Sequence, residues 1–389
     1  MRNSSSKVEV IVTYIATCMF WCSLYVYVPI LSIYSQMMGS SYTMIGTILS
    51  SYGLVQLFIR IPIGIFSDKI GKKKIFMIFG LLSSLISTLV FFFAKTPSHM
   101  LIGRSLSGLS AATWAIFMVN FGCFYTKENQ SKSMGIIGTT SFIGQVAATI
   151  CGGIIATVFS ERITFLISGI VGLCGAILVC FVKEQKTENT DRPKIKDFFG
   201  RLKNRDLVYF SMLAVIMQIA VFSGVLGFVP NMLRNLGSNN IILGVATAFS
   251  SLLSIITSLY SGTYFENIIG FKISIAVSFV IVSLMLVLTG LTSSIPLILI
   301  YTLITSAPRG LIQAMLNSLA IRGIESRLRS SAASVFQSIY GLGMTLGPIV
   351  TGLLADIFGV TIAFLVIGIV TFSAVFIIIF RKTWPTWVD

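Results

Sequence analysis

Residues 64–74 read Gly64-Ile65-Phe66-Ser67-Asp68-Lys69-Ile70-Gly71-Lys72-Lys73-Lys74, a short charged segment between two long apolar stretches. An apolar run of about twenty residues is long enough to cross a bilayer as a helix. About twelve such runs follow one another along the chain, near 9–34, 41–66, 73–94, 98–124, 130–157, 161–182, 207–233, 240–264, 271–291, 295–321, 330–356 and 360–380. Of 389 residues, 55% are hydrophobic and 11% charged, which leaves little for a soluble domain. The expected fold class is an all-α membrane protein with twelve transmembrane helices.

The net charge of +15 reports topology rather than a nucleic-acid partner. With the N-terminus inside, about 22 Lys and Arg fall on the cytoplasmic side, and only Lys95, Arg162 and Arg234 outside. Arg60, Arg104 and Arg309 fall within spans. Both termini are therefore expected in the cytoplasm, and the multi-pass chain in a plasma membrane. The N-terminal apolar run is too long for a signal peptide and is followed by no small-residue cleavage site, so it reads as an uncleaved first helix. All six Cys lie inside spans, where buried inert thiols are expected. Cys18 and Cys22 share a helix face, but no His or further Cys completes a ligand set. No metal or cofactor is expected.

Lys183 to Asp206 is the only long polar stretch, and Ile195–Leu202 within it is amphipathic, as in a linker lying on a membrane surface. It separates an N-terminal six-helix bundle, 1–183, from a C-terminal one, 207–389, with 184–206 as a cytoplasmic linker. The halves repeat at an offset of about 198–199 residues. Gly64, Asp68 and Lys74 align with Gly262, Glu266 and Lys272, and Gly144, Gly153 and Ile154 with Gly343, Gly352 and Leu353. Every third span, the third, sixth, ninth and twelfth, has no Asn, Gln or charge in its interior. Amides and charges avoid hydrocarbon, so those four are the candidates to face lipid. Spans 2, 4, 5, 7, 10 and 11 carry Gln56, Asn120, Gln145, Gln218, Asn231, Gln313, Asn317 and Gln337 besides the three arginines, while span 1 carries Tyr25 and Tyr27 and span 8 a Ser/Thr series.

The 64–74 segment resembles the loop between helices 2 and 3 of the major facilitator superfamily of transporters. Arg104-Ser105-Leu106-Ser107-Gly108 resembles that family's Arg-x-x-x-Gly element, and Gly135, Gly144, Gly152 and Gly153 fall at the spacings of a helix 5 signature of its twelve-helix drug:proton antiporter branch. Ala148 and Thr149 replace the Gly-Pro of that signature, while Gly347-Pro348 appears between Gly343 and Gly352 in helix 11. The resemblance covers nearly the whole chain. It implies two pseudo-symmetric six-helix bundles and a secondary transporter working by alternating access, with export favoured. It also implies a conformational gate of Arg60, Gly64, Asp68, Lys69, Gly71, Lys72, Lys73 and Arg329, in which Asp68 meets the N-terminus of helix 11. A coupling proton rests on the resemblance alone, because none of the 13 acidic residues lies near the middle of a span.

The buried charges are positive. Arg suits carboxylate or phosphate, and Arg309, Gln313 and Asn317 recur at one-turn spacing. They line a cavity for a polar or anionic group, or Arg309 serves carbonyls freed by Pro308. Tyr25, Tyr27, Arg104, Gly108, Trp114, Asn120 and Gln218 are the other cavity candidates, with helix packing as the alternative at each. Gly352-x3-Asp356-x2-Gly359 copies the Gly64-Asp68-Gly71 spacing, either as an outer counterpart of the gate or as a plain helix end. A small-molecule substrate, the lipid bilayer and a monomer are expected. The alternatives are an importer of an anionic or sugar-like metabolite, a membrane sensor without flux, and a channel. No cluster of acids, His or nucleophiles supports an enzyme.

Overall fold

The computed structural model describes residues 7–125, 130–182, 204–324 and 329–381, without the side chains of Asp68, 130–134, 262, 263, 267 and 329–331. Twelve helices long and apolar enough to span a membrane follow in order among the described residues. They are α1 (Lys7–Met37), α2 (Tyr42–Ile70), α3 (Lys73–Phe92), α4 (Pro97–Gly122), α5 (Gln130–Val158) and α6 (Glu161–Cys180). Then come α7 (Arg205–Asn235), α8 (Asn240–Tyr260), α9 (Phe271–Leu291), α10 (Ile295–Arg322), α11 (Arg329–Phe358) and α12 (Val360–Ile379). The expected spans are all present, displaced at their ends by a few residues. The Ile195–Leu202 segment, Trp384 and Trp387 lie outside the described residues.

Local chemistry sets where the helices start, bend and stop. Asn204 Oδ1 and Ser160 Oγ accept from Leu207 N and Ile163 N at 3.0 and 3.2 Å, filling orphan donors at the starts of α7 and α6. α1 breaks at Val26 and Tyr27, ahead of Pro29, and resumes at Val28. α7 relaxes into a π-helical turn, Gly224–Phe228, ahead of Pro230. A proline inside a helix removes one N–H and crowds the preceding turn, and a wider turn relieves both. α4 is interrupted at Thr113.

The internal repeat is visible in the backbone. Gly39 and Gly237, and likewise Gly71 and Gly270, hold equivalent turns with φ of +82° and +93°, and +71° and +79°. Side chains with a Cβ rarely adopt that region, so glycine recurs there in both halves.

Two units emerge from the packing. One is Met1–Gly39, Leu54–Arg192 and Asn239–Ala248; the other is Ser40–Gly53, Pro193–Ser238 and Phe249–Asp389. Thus α2 gives its first part to the second unit and its remainder to the first, and α8 is shared in the opposite sense.

In the first unit small hydroxyls join α1, α3 and α6. Ser84 Oγ donates to Ser23 Oγ at 2.9 Å and Ser168 Oγ to Ser23 O at 2.5 Å. With no hydrophobic drive between helices in lipid, such close contacts and hydrogen bonds hold the helices together. In the second unit Ser254 and Thr257 of α8 donate to the carbonyls of Ser306 and Ala307 on α10, at 2.6 and 2.7 Å. Arg322 of α10 pairs with Glu266 at 2.8 Å, and Arg381 pairs with Asp206 at the start of α7.

The expected burial of all the thiols needs correction. Cys18, Cys22 and Cys123 are partly buried, but Cys151, Cys174 and Cys180 lie on the exposed face of their helices. An apolar solvent admits a thiol on the helix exterior as readily as an apolar core does.

Candidate functional site

The glycine motifs mark seams where helices touch backbone to backbone. In the first unit, α5 lies against α1 and the first part of α8. A Cβ added at Gly144 would meet Cys18 O at 2.7 Å, and one at Gly152 would collide with Val26 O. Gly153 and Gly244 are reciprocal: a Cβ on either would sit 2.9 Å from the other's Cα. Asn240, the first residue of α8, donates to Glu161 Oε1 at 3.0 Å and to Ala156 O at 3.4 Å. Gly135 was expected to belong to this packing, but nothing lies within 4 Å of its Cβ position.

In the second unit, α11 lies against α7 and the first part of α2. A Cβ on Gly343 would meet Gln218 Cβ at 2.9 Å, and one on Gly347 Ile219 Cα at 2.9 Å. On the α2 side, Gly46 sits on the Pro348 carbonyl, Gly53 on Met344 and Gly352 on the Tyr42 carbonyl. Ser50 Oγ adds a hydrogen bond to Thr345 O at 2.5 Å. Gly46, Gly53 and Gly244 were not singled out in the sequence. The small face they make on α2 and α8 was the available signal.

Asp356 closes the end of the α2–α11 seam. Its Oδ1 accepts from Tyr42 N at 2.9 Å and its Oδ2 from Thr43 N at 2.7 Å. These are first-turn N–H groups of α2, which have no partner inside their own helix. The carboxylate thus caps a helix in a distant part of the chain, with the charge favoured at a positive helix end. Gly352-x3-Asp356-x2-Gly359 is thus a helix end that also holds the start of α2.

The candidate gate is only partly on view. Gly71 makes the turn after α2, while Gly64 has open space at its Cβ position and packs against nothing there. Arg60 donates to Gln56 one turn back, Lys69 and Lys72 are exposed, and Lys74 donates to the Cys180 carbonyl. Lys73 is 2% exposed, so the lysine run is not simply a solvated loop. The side chains of Asp68 and Arg329 lie outside the described residues.

The cavity candidates divide between the units. In the first, the half-buried Tyr25 and Trp114 flank Trp21, with ring centroids 5.6 and 5.1 Å away. Phe20 and Phe117, 4.6 Å apart, back this cluster. Trp21 was not singled out in the sequence, where a tryptophan on an apolar helix looks like lipid-facing bulk. Tyr27 is fully buried between Phe91 and Phe165, at 5.2 and 5.7 Å, and is a packing residue rather than a cavity residue. Arg104 and Asn120 are buried at 5% and 2% exposure, and Gly108 is buried with them. In the second unit Gln218 Nε2 donates to Gln313 Oε1 at 3.1 Å, joining α7 to α10. Arg309 and Asn317, a turn to either side of Gln313, are half-buried as well.

The Major Facilitator Superfamily family model matches residues 13–227 and 211–386. The chain belongs to the major facilitator superfamily. An uncharacterised MFS-type transporter of Methanocaldococcus jannaschii is 26% identical over 359 residues, 90% of each chain. The proton-coupled antiporter flippase LtaA of Staphylococcus saprophyticus is 23% identical over 306 residues, 76% of this chain and 74% of that one. A crystal structure of the nucleoside transporter NupG superposes with a TM-score of 0.82 at 13% identity, covering 96% of this chain and all of the other. The major facilitator fold of this chain is thus shared with proteins of very different sequence, and the protein is a multi-pass membrane transporter.

Proposed function

We propose that this major facilitator protein is a secondary active transporter of a small molecule in a plasma membrane, with both termini cytoplasmic, and that it works as an exporter by alternating access. One observation carries the reading: α2 and α8 each divide between the two units. Each is held at its N-terminal end by a glycine seam, α2 on α11 and α8 on α5. A helix that changes unit partway along its length has the form of a rocking element, as alternating access requires. A pore for passive conduction has no use for it. Export is favoured by the helix 5 glycine pattern, which the seam residues Gly144, Gly152 and Gly153 carry, and by the likeness to the antiporter flippase.

The substrate-facing groups proposed are Tyr25, Trp21 and Trp114 in the first unit and Gln218, Arg309, Gln313 and Asn317 in the second. Amides and a guanidinium at membrane depth belong beside protein or water. The amides and guanidinium of the second unit suit a polar or anionic group, and the aromatic rings of the first an apolar one. Among the described residues, the carboxylates of the spans sit in end turns, as Glu9, Glu161, Asp206 and Asp356 do. Proton coupling therefore has no mid-membrane carboxylate to use in these segments.

The test is counterflow. Compounds that raise the melting temperature of the purified protein are identified first, since a ligand of the folded state stabilises it whatever the transport direction. Proteoliposomes loaded with such a compound should then accumulate its radiolabelled form from outside. Binding without exchange would make the protein a sensor, and unitary conductance would make it a channel.

A further inference from the structure

We infer that the Gln218–Gln313 pair reads an amide in the substrate, and that the solute carried is a small carboxylic acid bearing a neutral amide, as an N-acyl amino acid does. The inference deepens the reading of Gln218, Arg309 and Gln313 as substrate-facing groups and rests on it.

The repeat shows that the fold does not ask for amides at these positions. Gly144 lies against the Cys18 carbonyl and Gly343 against the Val215 carbonyl. Trp21 and Gln218, each one turn further along its helix, therefore hold equivalent places in the two halves. Pro97 and Pro296 stand in the first turns of α4 and α10. Counted from these prolines, Trp114 matches Gln313, and Ser110 and Met118 match Arg309 and Asn317. The first unit fills the paired positions with two tryptophans packed edge to face, their ring centroids 5.1 Å apart. The second puts a side-chain hydrogen bond there instead, with a guanidinium one turn before it on α10 and an amide one turn after. Polar side chains at membrane depth are costly and mark function. Since apolar rings close the same junction in the first unit, packing does not account for the amides of the second.

What the pair binds follows from its unused atoms. A side-chain amide carries a carbonyl acceptor and an NH2 group with two donors. Gln218 Nε2 donates to Gln313 Oε1 at 3.1 Å. Gln218 Oε1 and Gln313 Nε2 then have no partner among the described residues, and neither atom is sealed by packing. Exchanging donor and acceptor within the bond leaves the same combination, one free acceptor and one free donor. An amide is the complement: its N–H meets the free carbonyl and its C=O the free NH2. An ester has no N–H and sets an oxygen against the Gln218 carbonyl, acceptor facing acceptor. Arg309 lies one turn from Gln313 on the same face of α10, about 6 Å along the axis. Its charge and planar fork suit a carboxylate. Both side chains are long enough to close on an acid and an amide that are separated by one or two carbons.

The experiment titrates the full-length purified protein with N-acyl glycines of increasing acyl size, with the matching O-acyl glycolates, in which an ester oxygen replaces the N–H, and with the methyl esters of the N-acyl glycines, which lack the carboxylate. Ligand affinity is read from the shift in melting temperature. N-acyl glycines should stabilise the wild type, the glycolates should bind about tenfold or more weakly, and the methyl esters should not stabilise it. Gln218→Met keeps the length of the side chain and removes the acceptor, so amide and ester should bind it alike. A merely structural role for the pair would weaken both probes in proportion and leave the preference intact. Gln313→Met serves where Gln218→Met does not fold: it should weaken amide and ester together, because both carbonyls lose the same donor. The inference is wrong if no N-acyl glycine stabilises the wild type, if amide and ester bind the wild type equally, if the methyl esters bind as well as the acids, or if the preference survives in Gln218→Met. Counterflow of some other compound, with no amide preference, would remove this inference and leave the transporter reading standing. An amide preference with no counterflow of the bound amide would keep the site and remove the transporter.

Discussion

Gly153 and Gly244 face each other so closely that a Cβ on Gly244 would lie 2.9 Å from the Gly153 Cα and 2.6 Å from the Thr149 carbonyl. No side chain can shift to relieve that contact, because both obstacles are backbone. Gly244→Leu should therefore insert and fold but be unable to close the α5–α8 seam. Overpacking typically costs about 1–3 kcal/mol, roughly a ten- to hundredfold shift between two states. A cysteine at Ala248, buried one turn further along α8, should become reactive to maleimide in Gly244→Leu and stay unreactive with Gly244 in place. Equal reactivity would mean that the seam does not open.

Tyr27 illustrates how far the sequence could be read. Its position near the break in α1 made it a cavity candidate, yet it is fully buried and its hydroxyl finds no hydrogen-bond partner among the described residues. Tyr27→Phe should leave counterflow unchanged and raise stability by about 1 kcal/mol, because it removes a buried hydroxyl that no partner satisfies among the described residues. A melting temperature lowered by this substitution would reveal a partner for that hydroxyl.

The Gln218–Gln313 bond spans two helices in the region proposed to meet substrate. A double-mutant cycle with Gln218→Leu and Gln313→Leu should give a coupling of about 0.6 kcal/mol, the usual scale for such bonds in membranes. Gln313→Leu and Arg309→Gln should both abolish stabilisation by the compounds that the wild-type protein recognises. Retention of full stabilisation in both variants would remove the strip Arg309–Gln313–Asn317 from the binding surface.

Ser23 receives two hydrogen bonds from neighbouring helices, from Ser84 and Ser168. Because Ser168 bonds its carbonyl and Ser84 its hydroxyl, Ser23→Ala removes only one of them. It should cost about 0.5–1.5 kcal/mol, read as a small drop in melting temperature. Ser23→Leu should cost more, about 1–3 kcal/mol, because Ser23 is fully buried where Ser84 and Ser168 approach it from two helices; a melting temperature no lower than that of Ser23→Ala would show that the junction has room.

Much of the fold was legible because the membrane imposes its own code. Long apolar runs, basic loops and glycine at fixed spacings are each dictated by the bilayer or by backbone contact, and they placed twelve helices and most of the seam on α5 and α11. Gly144, Gly152, Gly153, Gly343, Gly347 and Gly352 all meet backbone or a neighbouring helix closely, as their spacing implied. Gly135 and Gly64 do not, because a motif position says nothing of what lies opposite. The role of Asp356 was half legible: its frame copied that of Asp68, but which helix start it would meet depends on a register no single helix encodes. The aromatic corner at Trp21 was illegible for a related reason, since lipid and a cavity select the same side chains on one helix face.

The most direct measurement of the central claim follows two distances in the wild-type protein. One label pair is at Met37→Cys and Leu236→Cys; the other is at Ile75→Cys and Ile273→Cys, exposed positions near the starts of α3 and α9. Alternating access requires each pair to show two separations, with a stabilising compound shortening one pair as it lengthens the other. Two distances that stay fixed, or that lengthen together, would contradict it.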